Sequence, residues 1–162
     1  MKMCNTEVMK KVKLLEQAKG EILAEESRIH WVTYQTKMDK FDNGYDFAQT
    51  RKKVDDIEAE IRMYKRLLNL SNATTMVDAF DMTLGECLVY MAQLNRQVYT
   101  LEAMSRKEPI TRYSTHNGVI EFTELNYDKA ECQERLRWVL ETISKLQIAI
   151  DRANLTNIIE IE

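Results

Sequence analysis

Apolar side chains recur along this chain in steps that alternate between three and four residues. The clearest run is Val54, Ile57, Ile61, Tyr64 and Leu68. Because an α-helix turns once every 3.6 residues, this spacing places the whole run on one face of a helix. Residues that interrupt helices are scarce, with four glycines and one proline among 162 residues. The pattern therefore predicts long amphipathic helices that bury their apolar faces against one another.

Four segments carry this pattern, and local signals mark several of their ends. Asn43-Gly44 is typical of a turn after the first segment, Thr83 and Glu86 have the spacing of a capping box, and Pro109 follows the third segment. We predict helices at about 6–36, 46–70, 83–106 and 126–155. The predicted fold is all-α: an elongated antiparallel bundle of about four long helices in a single domain, 1–162. The other apolar stripes comprise Val8, Leu15, Ile22 and Ile29; Leu84, Cys87, Met91, Leu94, Val98 and Leu101; and Cys132, Leu136, Val139, Ile143, Leu146 and Ile150.

Between the third and fourth helices the apolar period changes to two. Two segments rich in β-branched and aromatic residues flank His116-Asn117-Gly118, a tight-turn sequence. This pattern predicts a small β-hairpin at about 110–123, with His116 as a polar residue at its tip. Residues 71–80 are expected to form an ordered loop, and Trp138 and Ile148, off the fourth stripe, indicate a second contact face.

Charge and apolar content exclude several classes of partner. The formal net charge is −3, and acidic and basic residues are interspersed, so we expect no nucleic-acid partner. The first residues lack the apolar core of a signal peptide, and no apolar run is long enough to cross a bilayer. We therefore expect a cytoplasmic location and no membrane partner.

The cysteines and glycines suggest no cofactor. Cys4, Cys87 and Cys132 are odd in number and widely spaced, which predicts reduced thiols rather than disulfides or a metal-binding pair. The four glycines are scattered, so no glycine-rich loop is available to wrap a phosphate. No serine or cysteine has a histidine neighbour in the sequence, and we predict no catalytic residue.

Four short motifs resemble an uncharacterised bacterial helical family that is sometimes labelled septicolysin. These motifs are Asn72-Ala73-Thr74, Thr83-Leu84, Arg112-Tyr113-Ser114 and Ile150-Asp151-Arg152-Ala153-Asn154, and the resemblance covers about residues 65–157. It implies a helical, oligomeric protein with no established activity. This chain has Met91-Ala92 where the family carries an Arg-Asp pair, so no role of that pair is expected here.

A few side chains are candidates for a metal site. Glu26 and His30 lie four residues apart on one helical face, and Glu25 falls on the first apolar stripe. Facing acids from the second helix, Asp55, Asp56 and Glu60, would be needed to complete a divalent-metal centre. Most of these acids are expected to face solvent. The alternative interpretation is therefore that they are surface charges and do not form a metal site.

The function that the sequence favours is self-association. Long apolar seams and an isolated hairpin are expected to be buried by helix packing and by other copies of the chain, so we predict a non-enzymatic homo-oligomer. Arg112, Tyr113 and Ser114 are candidate interface or ligand contacts, although an arginine that joins strand and helix within the fold explains them equally well. The alternatives are a metal-dependent helical hydrolase resembling nucleotide pyrophosphohydrolases and a membrane-acting, septicolysin-like protein.

Overall fold

The computed structural model describes residues 1–161 and confirms a mostly helical protein with four long helices. A short 3₁₀ turn at Lys37–Asp39 lies between the first two helices. In chain order the elements are β1 (Lys2–Cys4), α1 (Asn5–Ile29), α2 (Phe47–Thr74), β2 (Met76–Val77), β3 (Met82–Thr83), α3 (Leu84–Ser105), β4 (Ile110–Ser114), β5 (Ile120–Glu124), α4 (Lys129–Thr156) and β6 (Ile158–Glu160).

The chain divides into two compact units. Unit 1 comprises Met1–Thr74 together with the C-terminal residues from Asn154, and unit 2 comprises Thr75–Ala153. Each unit contains an antiparallel pair of helices and its own apolar core.

In unit 1, α1 and α2 pack side by side through their predicted stripes. Val8 and Leu15 from α1 meet Ile61 and Tyr64 from α2 in the core. Ion pairs flank this seam, including Lys65 to Glu16 at 3.0 Å and Lys11 to Glu60 at 3.4 Å. The stripes predicted from spacing are therefore the buried faces of both helices.

The chain ends form a small antiparallel sheet in unit 1. Strand β1 pairs with β6, with Met3 opposite Ile159 and Cys4 opposite Ile158. Ile159 and Ile161 are buried in the same core as Val8. This sheet corrects the expectation that strands occur only between the third and fourth helices.

The first helix ends at Ile29, seven residues before the predicted end near Thr36. Both the backbone N–H and the Nδ1 atom of His30 contact the Glu26 carbonyl oxygen, and the Asn43 amide donates to the Ile29 carbonyl oxygen. These contacts satisfy carbonyl groups that a longer helix would have bonded internally. The following Trp31-Val32-Thr33-Tyr34 run also has low helix propensity, so the helix gains little by continuing.

Unit 2 is organised around α3 and α4. Leu84, Leu94, Val139 and Leu146 are fully buried in its core. Each such side chain contributes roughly 1.5–3 kcal/mol of transfer free energy. Trp138 and Ile148 lie off the stripe of α4 and are 44% and 60% exposed.

The segment before α3 is a second hairpin rather than the predicted loop. Strands β2 and β3 pair antiparallel, with Met76 opposite Thr83. Their connection includes Asp81 in the left-handed region at φ +50°, a conformation that aspartate tolerates better than most residues. The Leu84 N–H donates to the Thr75 carbonyl oxygen at 2.8 Å, so this hairpin leads directly into α3.

The hairpin predicted between α3 and α4 is present. Strands β4 and β5 pair antiparallel over five residues each, from Ile110 opposite Glu124 to Ser114 opposite Ile120. Gly118 in the connection has φ +75°, and its N–H donates to the Thr115 carbonyl oxygen at 3.0 Å. A residue with a side chain would be strained at this φ, which explains the Asn-Gly sequence.

Candidate functional site

A surface pocket of about 400 Å³ lies in unit 1 where α1 ends and α2 begins. Its polar members come from three segments: α1, the connection after it, and the first turns of α2. The lining residues are Leu23, Glu26, Ser27, His30, Tyr45, Phe47 and Arg51. Two of the metal candidates from the sequence, Glu26 and His30, therefore line one pocket.

The Glu26 carboxylate is held by two donors. The Tyr45 hydroxyl donates to its Oε1 atom at 2.6 Å, and the Arg51 guanidinium forms an ion pair with its Oε2 atom. The Glu26 side chain is only 16% exposed. A carboxylate with both oxygens engaged in this way is a poor ligand for an additional metal ion, because binding the metal would require displacing a tyrosine or an arginine.

Arg51 anchors the other side of the pocket. Its guanidinium carbon lies 5.8 Å from the centre of the Phe47 ring, within the range of a cation–π contact. Its Nε atom is buried and, among the described residues, has no hydrogen-bond acceptor. Although Arg51 lies outside the apolar stripe that begins at Val54, the structure places it half-buried beside Glu26.

His30 contacts the backbone of Glu26 through its ring. Its Nδ1 atom lies 2.7 Å from the Glu26 carbonyl oxygen, and a carbonyl oxygen only accepts hydrogen bonds. Nδ1 therefore acts as the donor in this contact. The pair predicted from i, i+4 spacing is thus joined through the backbone of Glu26 rather than through its carboxylate.

The remaining metal candidates do not converge on this pocket. Glu25, Asp55 and Asp56 are exposed, and Glu60 forms its ion pair with Lys11. Within residues 1–161, no three histidine, cysteine or acidic side chains lie close enough together to bind a metal ion.

Tyr45 and Arg51 are pocket residues that the sequence analysis missed. Arg51 lies one helical turn before Val54, the first member of the α2 stripe, and Tyr45 follows the Asn43-Gly44 turn. An arginine one turn before the start of an apolar stripe was the available signal. Its partner Glu26 is 25 residues away, which no local pattern reveals.

The candidate interface residues Arg112, Tyr113 and Ser114 are all exposed on β4. The Tyr113 hydroxyl donates to the carboxylate of Glu121, the residue directly opposite on β5, at 2.7 Å. This contact stabilises the hairpin across its strands.

A cluster of amides is buried in unit 1. Asn5 is fully buried, and its Oδ1 atom accepts from the Ser71 hydroxyl at 2.8 Å and from the Asn157 amide at 3.3 Å. Its own amide donates to the Asn154 Oδ1 atom at 3.2 Å. Two of the family-like motifs adjoin this cluster, since Asn72 follows Ser71 and Asn154 ends the last motif.

The thiols and helices indicate no other reactive or membrane-spanning feature in the part of the chain described. Cys4, Cys87 and Cys132 are buried and free, and burial raises the pKa of the Cys87 thiol, which disfavours the reactive thiolate. None of the helices within residues 1–161 has the length and apolar character needed to cross a bilayer.

Comparison with known proteins identifies a protein with a similar fold but indicates no activity. No family model and no curated protein matches the chain. The structure is similar to that of a functionally unknown conserved protein from Corynebacterium diphtheriae, with a TM-score of 0.70 and 13% sequence identity. The similarity covers 99% of this chain and 100% of the other. The fold therefore occurs in a second protein of unknown function, as expected for an uncharacterised family.

Proposed function

We propose that this protein is a non-enzymatic helical module that self-associates through one face of the β4–β5 hairpin. The observation that carries the proposal is an apolar hairpin face exposed to solvent. Ile110, Ile120 and Phe122 are 58%, 48% and 66% exposed.

The strand register assigns these three side chains to the same face. Residues directly opposite in an antiparallel pair share a face, and alternate residues of a strand return to it. One face of the hairpin therefore carries Ile110, Arg112 and Ser114 of β4 and Ile120, Phe122 and Glu124 of β5. The opposite face carries the polar residues Thr111, Tyr113, Glu121 and Thr123.

Both faces of the hairpin are exposed to solvent, but only the second face is polar. All ten residues of β4 and β5 are exposed. An isolated two-stranded hairpin is marginally stable in water, and an apolar face gains free energy when it is covered. A covering surface would therefore stabilise the hairpin on the side of Phe122.

The charges on this apolar face suit a second copy of the same chain. Arg112 and Glu124 both lie on it, one on each strand. A two-fold dimer brings the same patch of both copies together, so a residue on one copy meets a different residue on the other. In such an arrangement Arg112 of each chain can pair with Glu124 of its partner around the apolar centre.

The proposal is tested by comparing charges placed on the two faces of β5. In sedimentation equilibrium, the unmodified protein is expected to show a dimer that dissociates on dilution. Phe122→Lys places an unpaired ammonium in the proposed interface and should raise the dissociation constant at least ten-fold. The matched control is Thr123→Lys, which adds the same charge at the neighbouring position on the polar face.

A dimer that responds to Phe122→Lys but not to Thr123→Lys supports the hairpin interface. A strict monomer at all concentrations, or equal weakening by both variants, contradicts it.

A further inference from the structure

Unit 2 contains a surface pocket of about 300 Å³ that is lined by two arginines, one from each of its long helices. Arg96 on α3 and Arg135 on α4 line it together with Gln97, Thr100 and Leu101. None of these residues belongs to the hairpin or to the pocket of unit 1.

Arg135 is held in a fixed orientation. Its guanidinium carbon lies 4.2 Å from the centre of the Trp138 ring, a close cation–π contact. One of its Nη atoms donates to the Gln97 side-chain oxygen at 3.1 Å. These two contacts fix the plane of the guanidinium and leave further N–H groups available for an acceptor.

Neither arginine of this pocket has a neutralising carboxylate. Within residues 1–161, neither Arg96 nor Arg135 forms an ion pair, whereas Arg51 and Arg106 are each paired with a glutamate. Two like charges that converge on one pocket repel each other, and the repulsion is relieved when an anion binds between them.

We propose that this pocket binds the oxyanion group of a small organic anion, either a phosphate monoester or a carboxylate. Guanidinium groups recognise both through paired N–H donors, and the Thr100 hydroxyl and Gln97 amide offer additional donors at the same pocket. The Leu101 side chain provides an apolar wall for the organic part of the ligand.

Trp138 provides a local signal for binding. The chain has two tryptophans, Trp31 and Trp138, so the Trp31→Phe variant leaves Trp138 as the only one. Trp31 is 62% exposed in unit 1, and its replacement should not disturb the pocket of unit 2. Phenyl phosphate, benzoate and inorganic phosphate are then titrated while Trp138 fluorescence is recorded.

We expect a saturable fluorescence change with phenyl phosphate or benzoate, and weaker binding of inorganic phosphate, which has no organic part. Comparison of the first two probes identifies the preferred oxyanion. Arg96→Gln should weaken binding about ten-fold, the usual effect of losing a charge-assisted hydrogen bond. Arg137→Gln is the matched control, since it removes the same charge from an exposed position of α4 outside the pocket.

The role of Arg135 needs a second measurement, because replacing Arg135 changes the environment of Trp138 and therefore its fluorescence. Amide resonances of Gln97 and Thr100 should shift on addition of the probe in the unmodified protein but not in Arg135→Gln. The absence of saturable binding by any of the three probes, or an equal loss in Arg96→Gln and Arg137→Gln, would overturn the proposal.

Discussion

Asn5 shows how a single buried polar residue can tie distant parts of unit 1 together. It has no exposed surface, and its side chain bonds to Ser71 at the end of α2 and to Asn154 and Asn157 near the C-terminus. Buried polar groups are tolerated only when they are hydrogen-bonded. The cluster therefore stabilises one specific arrangement of these segments, since any shift leaves amides without partners.

Asn5→Ala is expected to lower the free energy of unfolding by about 2 kcal/mol, because it removes the acceptor used by Ser71 and Asn157 and leaves their donors less satisfied. Urea-induced unfolding followed by circular dichroism measures the change. Asn69→Ala is the matched control, as Asn69 is an exposed residue of α2 in the same unit. A loss in Asn69→Ala as large as in Asn5→Ala would show that the buried cluster has no special role.

At the level of single elements, α3 has the most completely formed start. The Thr83 hydroxyl accepts from the Glu86 N–H at 3.2 Å, and the Glu86 carboxylate accepts from the Thr83 N–H at 2.7 Å and from its hydroxyl at 2.8 Å. The Thr83 backbone N–H, followed by its hydroxyl, holds the pKa of Glu86 below its ordinary value of 4.5. This is the capping box that the sequence predicted.

The lowered pKa of Glu86 makes the helix start sensitive to pH. A carboxylate with a lowered folded-state pKa stabilises the fold above its unfolded-state pKa of about 4.5, and this stabilisation is lost as the pH falls through the folded-state value. Glu86→Gln keeps a hydrogen-bonding side chain but does not titrate. We expect it to lower the melting temperature by roughly 2 °C at pH 7 and by nothing near pH 2.

Thermal melts at the two pH values measure this difference, and Glu108→Gln, at an exposed site beyond the end of α3, is the control. A Glu86→Gln effect that persists unchanged at low pH would mean that the carboxylate charge does not contribute.

The elements that the sequence predicted well are those set by local patterns. The α2 stripe from Val54 to Leu68 is buried or partly buried because periodic spacing alone determines which face of a helix is apolar. The end of α1 was placed too late because Asn43, fourteen residues downstream, accounts for part of it. Of the residues that line the pocket of unit 1, the sequence identified only the i, i+4 pair Glu26 and His30. The other lining residues depend on how α1 and α2 pack.

On the scale of the whole chain, the two ends are joined. Strands β1 and β6 are separated by more than 150 residues in sequence, yet Met3 pairs with Ile159. Three-residue strands lack an alternation long enough to detect, and a pairing between chain ends leaves no turn sequence between them. Long-range closure of this kind is therefore invisible to local pattern analysis, although it completes the core of unit 1.

Adjacent residues of β6 allow this closure to be measured. Ile159 is 8% exposed and packs with Val8 and Tyr64, whereas Ile158 is 54% exposed on the other face of the strand. Ile159→Ala removes buried methyl groups and should lower the free energy of unfolding by about 2–4 kcal/mol. Ile158→Ala has the same cost in strand propensity but leaves no cavity, so it should cost less than about 1 kcal/mol.

Urea unfolding of both variants gives the comparison. Equal effects would show that β6 is held by its backbone pairing alone, whereas the expected difference would show that the end of the chain forms part of the core.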